Sequence, residues 1–335
     1  MESMIYRPWG ILDWVLPRYP TATWSFCGSV GTEERSIASI DWLRGRASLG
    51  LVRMLRVLDP PSAQYGAAAA LALGRRQNDY IAAGGAAEDV EDHSLIESHD
   101  AIVQTVNRFL DRCTPNVILD VTSLPKRFFF PILKLLMTAG NRLQNLLVTY
   151  TVPATYTRDK LAGNFNDWEH VPLFAGDYSR PPPDYLVAAV GFEALGLQDQ
   201  LDQLNASVRI RLLLPFPAPP SSFQRSWTVV QRLRERLQPE SVELYRCDAK
   251  DVSDTFDRLR SLSNSGQKRV LLAPFGPKPM SVAMCVFATL TDSEVFYTQP
   301  MVYHPEYSSG VSEVRGQKEI YGYCLKIEGK SFYAV

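Results

Sequence analysis

One stretch, residues 116–136, joins a strand, a tight turn and a helix start, and it constrains the fold more than any other part of the chain. Its residues 117–121 form an apolar, β-branched run that contains a single acid, Asp120. Such a run predicts a buried strand of a parallel sheet. From Phe128 onward the residues are apolar enough for a buried helix, so the stretch predicts a strand followed directly by a helix.

The turn between these two elements favours an anion site. Thr122 and Ser123 can cap the helix, and Pro125 fits its first turn. Lys126 and Arg127 would then lie beside the unsatisfied N–H groups of the helix start, where phosphate is commonly bound. The alternative is an ordinary strand-to-helix junction with two solvated basic residues.

The chain repeats this plan at residues 269–290. An apolar strand is followed by a turn that contains Gly276, and an apolar helix then starts near Pro277 and Lys278. This Pro-Lys pair corresponds to the Pro-Lys pair of the first stretch. Two copies make chance a weaker explanation, and each copy predicts a lysine just inside a helix N-terminus.

Other short matches recur in the same order in both halves; Gly31, for example, corresponds to Gly191, 160 residues later. Strands and helices alternate in each half. The sequence therefore predicts an α/β protein of two duplicated Rossmann-like units with mainly parallel sheets, related by a pseudo-two-fold axis. The expected domains are a first unit at 1–175, a Pro-rich linker at 176–184, and a second unit at 185–335 that ends in a hairpin.

Some elements of this interpretation depend on shorter signals. Residues 80–83 are a candidate third strand of the first unit, and a helix is expected from Gly191 to residue 204. The C-terminal residues alternate around Glu328-Gly329-Lys330, which predicts the turn of the hairpin.

Composition describes a soluble globular protein. Hydrophobic residues make up 46% of the chain and charged residues 21%, and the formal net charge is −1, so no global field favours DNA or a membrane surface. The five cysteines show no CxxC spacing and are odd in number, which favours a reducing cytoplasmic compartment. With four histidines and no metal-ligand spacing, neither a metal nor a cofactor is expected.

Ligands of open α/β sheets bind beyond the carboxyl ends of the strands. If the halves pack about the pseudo-two-fold axis, Lys126 and Lys278 face one shared pocket, which suits a ligand with several phosphates. Gly31 and Gly191 would allow close approach of the turns after each first strand. Phe275 is a candidate for stacking on a base.

Three charged residues near these turns leave alternatives open. Glu33 and Arg35 are candidates for the same site, or they are a helix-start acid and a solvated arginine. Asp120 is an acid at the end of a buried strand and needs a partner. It either orients the basic residues of the following helix or caps the turn.

Catalytic signals are sparse. His304 follows a strand and lies near Tyr303 and Glu306, so it is the histidine to test as a general base; the alternative is a histidine on a surface loop. The sequence contains no GxSxG, no Walker loop and no GxGxxG. It therefore favours a binding module over an enzyme, and we predict no catalytic residue.

The two turns also resemble a known family. DVTSLPKR is similar to the strand-end motif of CARF domains, the Rossmann-like sensors of cyclic oligonucleotides in CRISPR defence, and FGPKPMSVA is similar to that family's Gly-Gly-Thr-Lys-x-Met turn. A tandem of such units resembles the SAVED sensors of antiphage systems. The match departs from the family pattern at Pro125 and Pro277, and the first turn lacks the Gly pair.

The resemblance implies a cytoplasmic sensor that binds a cyclic or linear oligonucleotide and controls a separate effector protein in prokaryotic antiviral defence. The implied phosphate ligands are Lys126, Arg127 and Lys278, with Thr122, Ser123 and Gly276 at the helix N-termini. One alternative is a metal-independent ring nuclease that acts in the same pocket. Another is an interaction scaffold without a small ligand. A homo-oligomer is compatible with each hypothesis, and a membrane partner is not expected.

Overall fold

The computed structural model describes residues 6–60, 63–157, 161–176, 182–192, 208–217, 220–236 and 242–335. The chain divides into two compact units. Unit 1 comprises Met1–Asn164 and Met301–Tyr333, and unit 2 comprises Phe165–Pro300 and Ala334–Val335.

Strands and helices alternate through most of both units. The strands are β1 (Trp9–Ile11), β2 (Thr23–Ser29), β3 (Ser48–Leu58), β4 (Val90–Ser94), β5 (Asn116–Asp120), β6 (Asn145–Thr151), β7 (Thr155–Tyr156), β8 (Ala162–His170), β9 (Tyr185–Ala189), β10 (Arg209–Phe216), β11 (Val242–Asp248), β12 (Val270–Pro274), β13 (Phe296–Tyr303), β14 (Ser308–Ser309), β15 (Glu313–Val314), β16 (Gln317–Lys318), β17 (Ile320–Ile327) and β18 (Lys330–Ser331). The α-helices are α1 (Leu12–Val15), α2 (Ala38–Arg44), α3 (Gly66–Ala82), α4 (His99–Arg112), α5 (Lys126–Thr138), α6 (Pro220–Arg236), α7 (Val252–Leu262) and α8 (Lys278–Thr291).

The large sheet of unit 1 has the strand order β1-β17-β6-β5-β2-β3-β4, with β18 paired to β17. The run from β6 to β4 is parallel throughout, whereas β17 pairs antiparallel with both β6 and β1. Strands β2 and β5 are central in this sheet and almost entirely buried, as strands of a parallel sheet covered on both faces are. Phe26, Ile118 and Leu147 from neighbouring strands belong to one buried core.

The sheet of unit 2 repeats the strand order of the parallel part of unit 1. Its order β11-β10-β9-β12 is parallel throughout, and a parallel bridge from Leu272 to Val295 adds the start of the next segment. In both units the first strand lies between the second and the fourth, which is the Rossmann-like arrangement with a switch point between strands one and four. The predicted α/β class with mainly parallel sheets is confirmed; an origin by duplication stays a prediction.

The expected third strand at 80–83 is wrong. These residues complete α3 and the turn after it, and the third strand is β4. Tyr80 is fully buried and donates a hydrogen bond to Asp89 at 2.6 Å, while Arg44 donates to the carbonyl of Ala83 at 2.7 Å. These hydrogen bonds stabilise the C-terminal end of the helix. The third strand was not predicted because its sequence, VEDHS, is that of a polar edge strand.

The C-terminal hairpin is present, since β17 and β18 pair antiparallel around Glu328 and Gly329. However, β17 adds to the sheet of unit 1, so the compact units differ from the predicted domains 1–175 and 185–335. Residues 177–181 of the predicted linker, and residues 193–204 of the predicted helix, lie outside the described residues. Across the described ranges, no helix is long and apolar enough to span a membrane.

Candidate functional site

The switch point of unit 1 brings two predicted residues together. Ser29 ends β2, and its Oγ lies 2.7 Å from the Oγ of Ser123 in the turn after β5. A Cβ added to Gly31 would lie 2.6 Å from that same Ser123 oxygen. A glycine is therefore required where these two turns touch, and the predicted close approach at Gly31 is observed.

Asp120 holds the base of this switch point. Its fully buried carboxylate accepts hydrogen bonds from Ser39 Oγ at 2.6 Å, from Thr149 Oγ1 at 2.8 Å, and from both the backbone N and Oγ1 of Thr122 at 3.0 Å. Burial raises the pKa of Asp120, and these hydrogen bonds act in the opposite direction. Of the two alternatives for Asp120, the cap of the turn is the one observed in these contacts.

The helix start differs from the prediction in one respect. The N-cap of α5 is Pro125, with φ −57° and ψ 149°, so Thr122 and Ser123 do not cap it. The reason is that the Thr122 hydroxyl is already used: it donates to Asp120 and accepts from the backbone N of Thr151 at 2.9 Å. Pro125 instead accepts the first helical bonds through its carbonyl, from the backbone N–H groups of residues 128 and 129.

Lys126 is the first residue of α5 and is only 8% exposed. Its place at the helix N-terminus, at the carboxyl edge of β5, is the one that the sequence predicts. The positive end of the helix dipole adds to the charge of the ammonium group there. This arrangement can attract an anion by short-range contacts.

Unit 2 carries the same helix start. The N-cap of α8 is Pro277, with φ −53° and ψ 156°, and Lys278 is the first helical residue. A Cβ on Gly276 would lie 2.8 Å from the Cβ of Ala189, at the end of β9. The turn after the fourth strand therefore packs on the end of the first strand here as well, and Gly191 lies, partly exposed, two residues beyond that strand end.

Glu33 and Arg35 form a buried ion pair, so the interpretation of a solvated arginine is wrong. The guanidinium donates to Glu33 Oε2 at 2.8 and 3.0 Å, to Ser308 Oγ at 3.1 Å and to the Thr151 carbonyl at 2.8 Å. Burial is the largest single influence and lowers the pKa of Arg35, but Glu33, Tyr150 and Tyr156 together outweigh it and raise that pKa. These contacts fix the turn after β2 to the end of β6 and to β14. A ligand role for Glu33 or Arg35 stays a prediction.

The remaining candidates are held by neighbours within their own units. Phe275 is buried beside Trp168 and Tyr297, with ring centroids 6.0 and 5.4 Å away. Arg127 donates to the Glu97 carbonyl at 2.8 Å. His304 accepts a hydrogen bond from the backbone N of Glu306 at 3.1 Å through Nδ1, which is the geometry of a turn.

Two residues at this edge were not predicted. Ser29 could have been found from its position at the end of the first strand. Asp59 directly follows β3, is partly buried, and has its pKa raised by burial to about 6. An acid just after a parallel strand is the signal that points to it. Within the described ranges, no cluster of His, Cys, Asp or Glu could hold a metal ion.

No model of a known protein family matches this sequence, and no curated protein matches it significantly. Among solved structures, a type III CRISPR defence DNA nuclease activated by cyclic oligoadenylate aligns with a TM-score of 0.48 at 10% sequence identity. The alignment covers 82% of the present chain and 65% of that nuclease. The chain therefore spans less than two thirds of the nuclease.

We expect the substitution Asp120→Ala to destabilise the protein by about 3 kcal/mol, because it leaves several buried donors without an acceptor. Ser39→Ala, which removes one of these hydrogen bonds, should cost about 1 kcal/mol. Urea unfolding at pH 7 measures both free energies. A smaller loss for Asp120→Ala than for Ser39→Ala would contradict the central role of the carboxylate.

Asp59→Asn should stabilise the protein at neutral pH. Because the folded-state pKa of Asp59, about 6, lies above the ordinary aspartate value of 3.8, the folded state binds more protons between these values, and stability falls as pH rises through this window. The variant should be more stable than the parent by about 1 kcal/mol at pH 7, after solvent screening is considered, and equal to it near pH 4. If the difference in unfolding free energy between the variant and the parent were the same at pH 4 and at pH 7, the carboxyl of Asp59 would not be desolvated.

Proposed function

We propose that this chain is a sensor that binds the phosphates of a cyclic or linear oligonucleotide and regulates a separate effector protein in antiviral defence. The phosphates are bound at the carboxyl edges of the parallel sheets, by the helix starts at Lys126 and Lys278. The CARF-like motifs of the two turns support this choice of ligand class.

The observation that carries the proposal is the equivalence of the two helix starts. Each follows the fourth strand of a Rossmann-like sheet, next to the switch point, and each has an extended proline as N-cap and a lysine as the first helical residue. The positive end of each helix dipole adds to the charge of the lysine at the helix start, and the two together favour an anion there. Each unit thus offers one lysine at a helix start for a phosphate.

The chemistry of these residues favours binding over cleavage. The site residues are lysines, serines and backbone N–H groups. His304, the candidate general base, accepts a hydrogen bond from the backbone N of Glu306 in its own turn. Lysines and N–H groups neutralise phosphate charge without supplying a proton acceptor. If cleavage occurs, a ribose hydroxyl of the ligand would be the nucleophile, as in a metal-independent ring nuclease.

The proposal predicts that Lys126→Ala/Lys278→Ala abolishes ligand binding. A thermal-shift screen of the parent protein uses cyclic di-, tri- and tetraadenylate, linear tetraadenylate and AMP. A compound present at 100 times its Kd should stabilise the parent by about 2.7 kcal/mol, and the double variant should show no shift. Without ligand, its Tm should stay within about 3 °C of the parent.

Lys330→Ala is the matched control for this screen. Lys330 is exposed on the hairpin at the opposite edge of the unit 1 sheet, near the start of β6, so its removal should leave the ligand shift unchanged. Equal shifts in all three proteins would refute the site. An unfolded double variant would show that the lysines are structural, and no shift of the parent with any compound would favour the scaffold. Chromatography of the incubated compound then separates a sensor from a nuclease.

A further inference from the structure

Arg127 is the second residue of α5, and its guanidinium is bonded within the fold. Its guanidinium donates a hydrogen bond of 2.8 Å to the backbone carbonyl of Glu97, in the turn between β4 and α4. The two residues are 30 positions apart in the chain. The bond therefore ties the first turn of α5 to the turn after β4, the edge strand of the same sheet.

The turn that receives this bond is itself fixed. The Nδ1 of His93, a buried residue of β4, lies 2.6 Å from Glu97 Oε2, and Ser98 caps α4 by accepting from the backbone N of Ala101 at 3.3 Å. The His93 ring also meets the Phe128 ring edge to face, with centroids 5.9 Å apart. Arg127 and Phe128 thus connect the start of α5 to β4 and to the turn after it.

We propose that Arg127 is a positioning residue: it holds the N-terminal turn of α5 against the β4–α4 turn and so orients Lys126 and the first-turn N–H groups toward phosphate. The guanidinium acts through Glu97, whose side chain is held by His93. The part of this inference that concerns phosphate rests on the proposed function. The tether itself is independent of any ligand.

Unit 2 gives an internal contrast. The residue after Lys278 is Pro279, which is buried and has no side-chain donor. The helix start of unit 2 therefore has the same lysine without an arginine to orient it. The tether is a property of unit 1, so its removal should change the orientation of Lys126 and leave that of Lys278 unchanged.

The first test needs no ligand. The backbone N–H groups of residues 128 and 129 both bond to the Pro125 carbonyl, so their hydrogen exchange reports on the first turn. We expect about fivefold faster exchange in Arg127→Ala, from the loss of one hydrogen bond. Glu97→Ala keeps the accepting carbonyl and removes only the contact with His93 that fixes the turn, so it should increase exchange less. Arg127→Lys, which keeps a cationic donor, and Glu97→Gln, which keeps an acceptor for His93, should exchange like the parent. Unchanged exchange in both alanine variants would overturn the proposal.

The second test measures affinity for cyclic tetraadenylate. A positioning role predicts about fivefold weaker binding for Arg127→Ala with an unchanged salt dependence. It predicts a smaller loss for Glu97→Ala, which loosens the turn but keeps the accepting carbonyl. Direct phosphate binding by Arg127 predicts instead that Glu97→Ala binds like the parent and that the salt dependence of binding falls with Arg127→Ala. That result would overturn the positioning role.

The variant Lys126→Ala separates the test of the phosphate site from the test of the tether. If it abolishes binding while the Arg127 and Glu97 variants bind normally, the phosphate site stands and the tether has no role in it. If Lys126→Ala binds like the parent, the proposed site fails. In that case, or if the parent binds no cyclic tetraadenylate, the exchange measurement alone decides whether Arg127 holds the helix start.

Discussion

The buried carboxylate of Asp120 is the interaction on which the edge of unit 1 depends. It joins three elements, because its partners lie on α2, in the turn after β5 and on β6. A buried acid is costly unless it is hydrogen-bonded on several sides. Here the cost is offset by hydroxyl and backbone donors, and the result is a turn whose position is fixed before any ligand arrives. The contact between Ser29 and Ser123 follows from that position.

Unit 2 reaches a similar turn by different means. Its fourth strand, β12, has the sequence VLLAP and contains no acid. The turn is positioned instead by the close approach of Gly276 to Ala189 and by the packing of Phe275 on Trp168. Polar anchoring in one unit and apolar packing in the other produce N-caps with nearly equal dihedral angles. The helix starts are therefore a shared feature, while their supports are not.

Local sequence was enough to predict the strand, turn and helix at 116–136, because every signal there acts over a few residues. It was not enough for Arg35, whose partners Ser308 and Thr151 are 273 and 116 positions away. A charged residue looks solvated until its distant acceptors are known. The polar edge strand β4 and the return of β17 to unit 1 were missed for the same reason: both depend on sheet pairing that no short window contains.

Two arginines near the proposed site are already bonded within the fold, which limits the charges that could bind a polyanion. The Arg35 charge is matched within the fold by Glu33, and Arg127 is bonded to a backbone carbonyl. With a formal net charge of −1, no long-range field gathers polyanions. Under the proposed function, phosphate is therefore recognised at short range, by helix starts and single lysines. Such binding depends on few charges, so its salt dependence should be shallow compared with that of a nucleic-acid-binding surface. The small oligonucleotide of the proposed function meets that condition.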